Sequence, residues 1–314
     1  MTLSLEVDRT AWNRHVDGVA GRVSGLVPVV KGNGYGLGRR WLADRASRLA
    51  DVLAVGTVHE LADVPQGVTA VVLTPALDVT SVARADAILT VGSMAHLAAL
   101  GRTPRQVLVK IRSSMNRYGM PVAEASTLID ECERAGHAVE GVSIHPPLAG
   151  SSADHANEIA SLLRHIDARH TAWVSHVSVD DYDALRAAEP MRQWRLRLGT
   201  SLWHGDKSMF HLRADVLDAR PVDEGAVVGY HASTVSTAGT LLMVGCGSTH
   251  GVAPLPDGRS PFHFGRQRLV LVEAPHMHTT LVLAPQGQPT PQVGEFVDVQ
   301  RPLITTQPDH VDWR

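Results

Sequence analysis

The chain has 314 residues, of which 44% are hydrophobic and 19% charged, so it can bury a sizeable core and is not a disordered polymer. A net charge of −3, from 29 Lys and Arg against 32 Asp and Glu, argues against a nucleic-acid footprint, which would need a concentrated basic face. Only Cys132 and Cys246 are present, which excludes a disulfide framework, and no apolar run reaches membrane-spanning length.

The opening MTLSLEVDRTAW carries charge too early for a signal peptide, so a soluble cytoplasmic chain is expected, with no membrane and no nucleic-acid partner. In chain order the β-branched apolar runs are LVPVVK (26–31), VLAVGTV (52–58), TAVVLT (69–74), AILTV (87–91), QVLVKI (106–111), AVEGVSIH (138–145), AWVSHVSV (172–179) and WRLRLGT (194–200). Near-continuous runs of this kind suit strands buried on both faces, as in a parallel sheet. Helical stretches lie between most of them. RRWLADRASRLA (39–50) puts Leu42, Ala46 and Leu49 on one face, and PVAEASTLIDECERAG (121–136) ends on Gly136, a C-cap signal. Cys132 falls inside that second stretch and is read as packing.

Eight strands alternating with helices predict an α/β fold, a (β/α)8 TIM-like barrel; a doubly wound open sheet is the alternative. Beyond about residue 207 the helical patterns thin out. GAVVGYHASTVSTAGTLLMVGCG, RLVLVEAP, TTLVLAP and GEFVDVQRP are short runs separated by Gly, Pro and Gln, which predicts a C-terminal all-β domain. The expected division is 1–207 for the barrel and 208–314 for the β domain.

The first run ends on Lys31 and passes directly into GNGYGLG (32–38). Barrel chemistry sits at the C-terminal ends of strands. A lysine there is expected to be buried or half-buried, and therefore costly unless it is paired, neutral or covalently engaged. The residues alone leave two readings: a phosphate-gripping lysine beside a glycine-rich loop, and a Schiff-base lysine whose pKa is lowered by desolvation. No Walker or dinucleotide motif is present, because the lysine precedes the glycines and no G-K-[ST] occurs.

VVKGNGYGLG resembles the pyridoxal-phosphate motif of alanine racemases, approximately V-V-K-A-N-A-Y-G-H-G. Further segments follow in the family's order. KIRSSMNRYG (110–119) is similar to its second signature, and GVSIH (141–145) to the strand carrying a buried histidine. HVS (176–178) is similar to the strand ending on a phosphate-binding serine, and RLGT (197–200) to an R-P-G-I segment. EGAVVGYHAS (224–233) resembles the stretch opening the second domain, and HMH (276–278) stands where the family has C-M-D.

The resemblance implies a pyridoxal 5'-phosphate (PLP) enzyme that interconverts L- and D-amino acids, alanine by default, through two bases. It implies that Lys31 carries the cofactor and acts as one base, and that Tyr230 is the other, assisted by His145 and Arg197. Tyr35, Ser178, Gly199 and Thr200 would hold the phosphate, and Arg197 would face the pyridine nitrogen. Arg117 and the backbone N–H of Met277 would hold the substrate carboxylate, with Lys110 at the place of a carbamylated lysine. It further implies a homodimer, in which residues 208–314 complete the partner subunit's active site. Taken alone, Tyr230 would read as a strand tyrosine packing on a domain interface, and Lys110 as an ordinary strand lysine.

Departures from the pattern bear on the substrate. The family's G-Y-x-D-G motif appears as GCGSTHG (245–251), so Cys246 replaces its tyrosine. His278 replaces the aspartate of C-M-D, and Arg112 an aspartate of the second signature. A wider, less acidic gate would admit larger or acidic amino acids. His204, His250, His263, His276 and His278 show no tight metal spacing, and no metal is expected. Two alternatives remain. One is another reaction on the same cofactor, such as decarboxylation with Cys246 as an acid; the other is a catalytically weak PLP-binding regulatory protein.

Overall fold

The computed structural model describes residues 2–80, 82 and 84–314. The chain forms two compact units. One holds His15–Gly34 and Gly38–Gly205; the other holds the chain up to Arg14, Tyr35–Leu37 and Asp206–Arg314.

Strand β1 (Leu3–Val7) and helix α1 (Arg9–Arg22) come first. The barrel strands are β2 (Leu26–Pro28), β3 (Val52–Val55), β4 (Thr69–Val72), β5 (Ile88–Val91), β6 (Gln106–Lys110), β7 (Ala138–Ser143), β8 (Ala172–Val174) and β9 (Trp194–Leu198). They form one sheet in the order β2-β9-β8-β7-β6-β5-β4-β3, and every pair is parallel. A parallel bridge from Val29 to Ala54 joins the two ends, and the Val30 N–H donates to the Ala54 carbonyl at 2.7 Å. All eight predicted strands are present, and the sheet closes. The open-sheet alternative is thereby excluded. Val27, Val29, Val52, Ala54, Val71, Ile88, Leu108 and Trp173 pack together as a buried cluster.

The helices are α2 (Arg39–Ala46), α3 (Met94–Leu100), α4 (Val122–Arg134), α5 (Ser152–Leu163), α6 (Val179–Ala188) and α7 (Thr200–Trp203). Between β3 and β4 a 3-10 turn, Val58–Asp63, takes a helix's place, and no helix lies between β4 and β5 among the described residues. Helix α4 ends as predicted. Gly136 has φ +87, its N–H donates to Glu133, and the His137 N–H donates to Cys132, the paired bonds of a Schellman cap. Helix α2 buries Leu42, Ala43 and Ala46 and stops four residues short of the predicted end.

The second unit is antiparallel and built on β10 (Phe210–Val222). Its other strands are β11 (Val227–Val228), β12 (Ser233–Thr234), β13 (Gly239–Val244), β14 (Phe262–Phe264), β15 (Gln267–Arg268), β16 (Val270–Leu271), β17 (Thr280–Pro285), β18 (Phe296–Val299) and β19 (His310–Trp313). The main path is β15-β14-β18-β10-β13-β17-β16. A bulge between Val216 and Asp218 bends β10, which pairs with β13 on one side of it and with β18 and β1 on the other. Strand β1 also runs parallel to β19, so the chain's first strand is part of the β unit. The change of character near residue 207 coincides with the start of this unit's long segment at Asp206.

Candidate active site

The loop after β2 explains its own composition. Gly32, Gly34, Tyr35, Gly36 and Gly38 all have φ between +57 and +86, a region open to glycine and strained for other residues. At Gly34 a Cβ would lie 2.3 Å from the Arg39 nitrogen, so the loop folds back too closely for any side chain. Tyr35 is buried. Lys31, expected to be buried or half-buried, is exposed. Its pKa is nevertheless lowered, by partial desolvation first and then by the Arg117 cation; Glu60 acts in the opposite sense, and Arg197 adds to the lowering.

Glu60 ties that strand end to its neighbour. One carboxylate oxygen accepts the Gly32 N–H at 2.9 Å and the other the Gly56 N–H at 2.6 Å. Arg39 lies 3.7 Å from the first oxygen, donates to the Gly32 carbonyl at 2.8 Å, and pairs with Asp63 at 2.5 Å. Sequence reading missed Glu60, although Thr57 and Glu60 stand at capping-box spacing.

The ends of β6, β7, β8 and β9 bring three predicted residues, Lys110, His145 and Arg197, together with Ser175 and His176. Arg197 is buried; Nη2 donates to the Ile144 carbonyl at 2.7 Å and to Ser175 Oγ at 3.3 Å. Burial lowers its pKa to about 10, which Tyr118 opposes and Arg117 reinforces, so it remains a cation at neutral pH. Its Nε–H is buried without a partner among the described residues. His145 Nδ1 meets Ser175 Oγ, and the His145 ring lies 4.3 Å from that of His176, whose φ is +62. Burial, then Arg197, His176, Lys110 and Arg117, push the His145 pKa down to about 2. Lys110 is buried with Nζ unpartnered among the described residues, and desolvation, Arg197 and Arg117 hold its pKa well below the ordinary lysine value.

Arg117 sits in the loop after β6, which closes on itself. Arg112 N donates to Met120 O, and Met120 N donates to Lys110 O, both at 2.8 Å. The Arg117 guanidinium lies 4.5 Å from the Tyr118 ring centroid and donates to its hydroxyl at 3.2 Å. That hydroxyl donates in turn to the Leu73 carbonyl at 3.0 Å. The Arg112 side chain donates from Nε to the Gly119 carbonyl at 3.2 Å.

Ser178 caps α6. Its Oγ accepts the Asp181 N–H at 3.1 Å and donates to the Asp181 carboxylate at 2.7 Å. Gly199 and Thr200 open the single-turn α7.

Tyr230, Met277, Cys246 and His278 belong to the β unit. Tyr230 is 84% exposed in the turn between β11 and β12. The Met277 carbonyl accepts from Thr249 Oγ1 at 2.6 Å and from Thr249 N at 3.1 Å, and the same hydroxyl lies 3.2 Å from His278 Nδ1. His276 Nε2 pairs with Glu273. Cys246 is fully buried, and burial, Asp215 and Asp309 push its thiol pKa up. No group of three or more His, Cys, Asp or Glu is placed to hold a metal among the described residues, and no helix there is long and apolar enough to cross a membrane.

The chain thus joins a closed parallel barrel, with Lys31, Lys110 and Arg197 at or near the C-terminal ends of its strands and Arg117 in the loop after β6, to an antiparallel β unit, an architecture of the barrel class. The sequence profile described as alanine racemase, N-terminal domain, matches residues 7–204, and the chain belongs to the alanine racemase family. Among solved structures it is similar to alanine racemase from Bartonella henselae with covalently bound pyridoxal phosphate, at 19% identity, TM-score 0.73, covering 96% of this chain and 91% of that one. It is also similar to biosynthetic alanine racemase from Pseudomonas aeruginosa, at 21% identity, TM-score 0.70, covering 100% and 99%. No curated protein matches significantly by sequence.

Proposed function

We propose that this chain is a PLP-dependent amino-acid racemase, alanine being the default substrate, active in the cytoplasm as a homodimer. The observation that carries the reading is the buried, unpartnered Nε–H of Arg197. A buried donor left unpaired costs about 1–3 kcal/mol, so it calls for an acceptor. An unprotonated heteroaromatic nitrogen is such an acceptor, and a fixed cation keeps that nitrogen unprotonated. When bound, the cofactor supplies an aldehyde for a lysine amine and a conjugated ring that spreads charge from the substrate Cα.

The chain's own residues supply the rest. Lys31, its pKa already lowered, furnishes a reactive amine and the base on one face. Tyr230 furnishes the base on the other face of the partner subunit's site; one base takes the Cα proton and the other returns a proton. His145, neutral across the physiological range, offers hydrogen bonds without adding positive charge beside Arg197. Arg117 holds the substrate carboxylate with the Met277 N–H. Tyr35, Ser178, Gly199 and Thr200 hold the phosphate. Lys110 takes up carbon dioxide as a carbamate, releasing one proton. Its lowered pKa leaves the amine neutral enough to react, and the resulting anion orients Arg117.

Decarboxylation with Cys246 as acid is disfavoured by that thiol's burial and raised pKa. A second reading, a PLP-binding protein of weak activity, is favoured by one observation: the Ser178 hydroxyl is given to Asp181. The deciding experiment loads the purified protein with PLP in deuterium oxide and follows Cα over a panel of amino acids. Deuterium incorporation with inversion is expected. Carbon dioxide release would establish decarboxylation, and cofactor bound at Lys31 without exchange would establish the second reading.

A further inference from the structure

The turn that carries Tyr230 is built round a carboxylate. Glu273, between β16 and β17, is buried and accepts the backbone N–H of Tyr230 at 3.0 Å and of His231 at 3.2 Å. It also accepts from the Ser233 hydroxyl at 3.2 Å and from His276 Nε2 in a short contact. Burial opposes its ionisation, but His276 and the other donors outweigh this and hold its pKa down to about 2.

Two features show that the turn is shaped to this group. Gly229 has φ +77, and a Cβ there would stand 2.2 to 2.4 Å from three atoms of the Glu273 carboxylate. The His276 ring, anchored at its other edge by Glu273, lies on the Tyr230 ring with centroids 4.5 Å apart and planes at 58°. A two-stranded hairpin does not require such an arrangement, because short hairpin loops close with backbone bonds alone and a buried carboxylate is costly unless fully bonded. The result is an exposed phenol whose backbone and one side of the ring are held.

We propose that Glu273 and His276 are positioning residues for proton transfer by Tyr230, Glu273 fixing the turn and His276 fixing the ring. This rests on the reading of Tyr230 as the second base. No atom of either residue is asked to exchange a proton with substrate.

The test compares Glu273→Gln, His276→Phe and Tyr230→Phe in the PLP-loaded protein, measuring deuterium wash-in at Cα separately from L- and D-alanine. Tyr230→Phe is expected to slow wash-in from one enantiomer far more than from the other. Glu273→Gln is expected to slow that same enantiomer by on the order of 10- to 100-fold, the effect of a misplaced group, with the other direction preserved. His276→Phe, which keeps a ring against Tyr230 but loses its anchor, is expected to give a smaller loss with the same asymmetry. In the cofactor-free protein, amide exchange at Tyr230 and His231 is expected to quicken in Glu273→Gln. Equal losses in both directions, or none, in Glu273→Gln and His276→Phe beside an asymmetric Tyr230→Phe would overturn the proposal and leave the Tyr230 reading standing. A symmetric Tyr230→Phe would overturn both.

Discussion

Ser175 Oγ lies 2.5 Å from His145 Nδ1 and 3.3 Å from Arg197 Nη2. Arginine can only donate, so the serine oxygen accepts from Arg197, and it shares a second, short hydrogen bond with the imidazole. One hydroxyl therefore anchors the His145 ring and satisfies part of a buried guanidinium. Ser175→Ala is expected to cost about 1 kcal/mol of stability, the net worth of a typical hydrogen bond, and to lower racemisation with Lys31 still able to take up cofactor. Denaturant midpoints and borohydride trapping check this; unchanged turnover would remove Ser175 from the site.

The depressed pKa of His145 has a definite pH consequence. The unfolded imidazole gains a proton near its ordinary value of 6.5, whereas the folded one resists until about 2. The unfolded state thus binds more protons across that window, and stability falls as pH drops through it. His145→Gln is expected to show a shallower loss of stability between pH 6.5 and 2 than the wild type, measured by urea midpoints. Parallel pH curves would contradict the burial of a neutral imidazole.

Glu60 raises the pKa of Lys31 against the lowering by desolvation, Arg117 and Arg197. Glu60→Gln removes that charge and weakens the grip on the Gly32 and Gly56 amides. The lysine pKa is expected to fall further, so the pH midpoint for pyridoxal phosphate attachment moves down. The chain has three lysines, Lys31, Lys110 and Lys207, so borohydride trapping and peptide mapping identify the site cleanly. A midpoint that rises or stays would show that Glu60 does not act on Lys31.

Lys110 is a buried amine with no partner among the described residues. If it works as a carbamate, bicarbonate is expected to raise the melting temperature and activity of the wild type, and to do neither in Lys110→Met. Carbon-13 bicarbonate resonances report the adduct directly. A wild type indifferent to bicarbonate would leave Lys110 as a buried neutral amine.

Ser178 and Asp181 set up a competition. The serine has one proton, now given to a carboxylate whose pKa is lowered by the Ser152 and Ser178 hydroxyls. A phosphate at the α6 terminus would need that same proton. Asp181→Ala is therefore expected to tighten pyridoxal phosphate binding without tightening that of pyridoxal, which lacks the phosphate. Equal effects on the two would place the phosphate elsewhere.

The sequence by itself determined the barrel, because strands buried on both faces must be continuously apolar, and all eight such runs became strands. It placed Lys31, Lys110, Arg197 and His145 within or at the end of apolar runs, and Arg117 in the segment that follows one. The cap at Gly136 was equally local, a matter of one residue's freedom at positive φ. What only the tertiary structure decided is who meets whom. Strand β1 pairs with β10 and β19, about 200 and 300 residues distant, and short-range patterning carries no record of such partners. Ser175, Glu60 and Glu273 are common polar residues at unremarkable positions. They became the holders of His145, Gly32 and Tyr230 only because folding brought each beside donors or acceptors distant in sequence, Ser175 and Glu273 in buried positions.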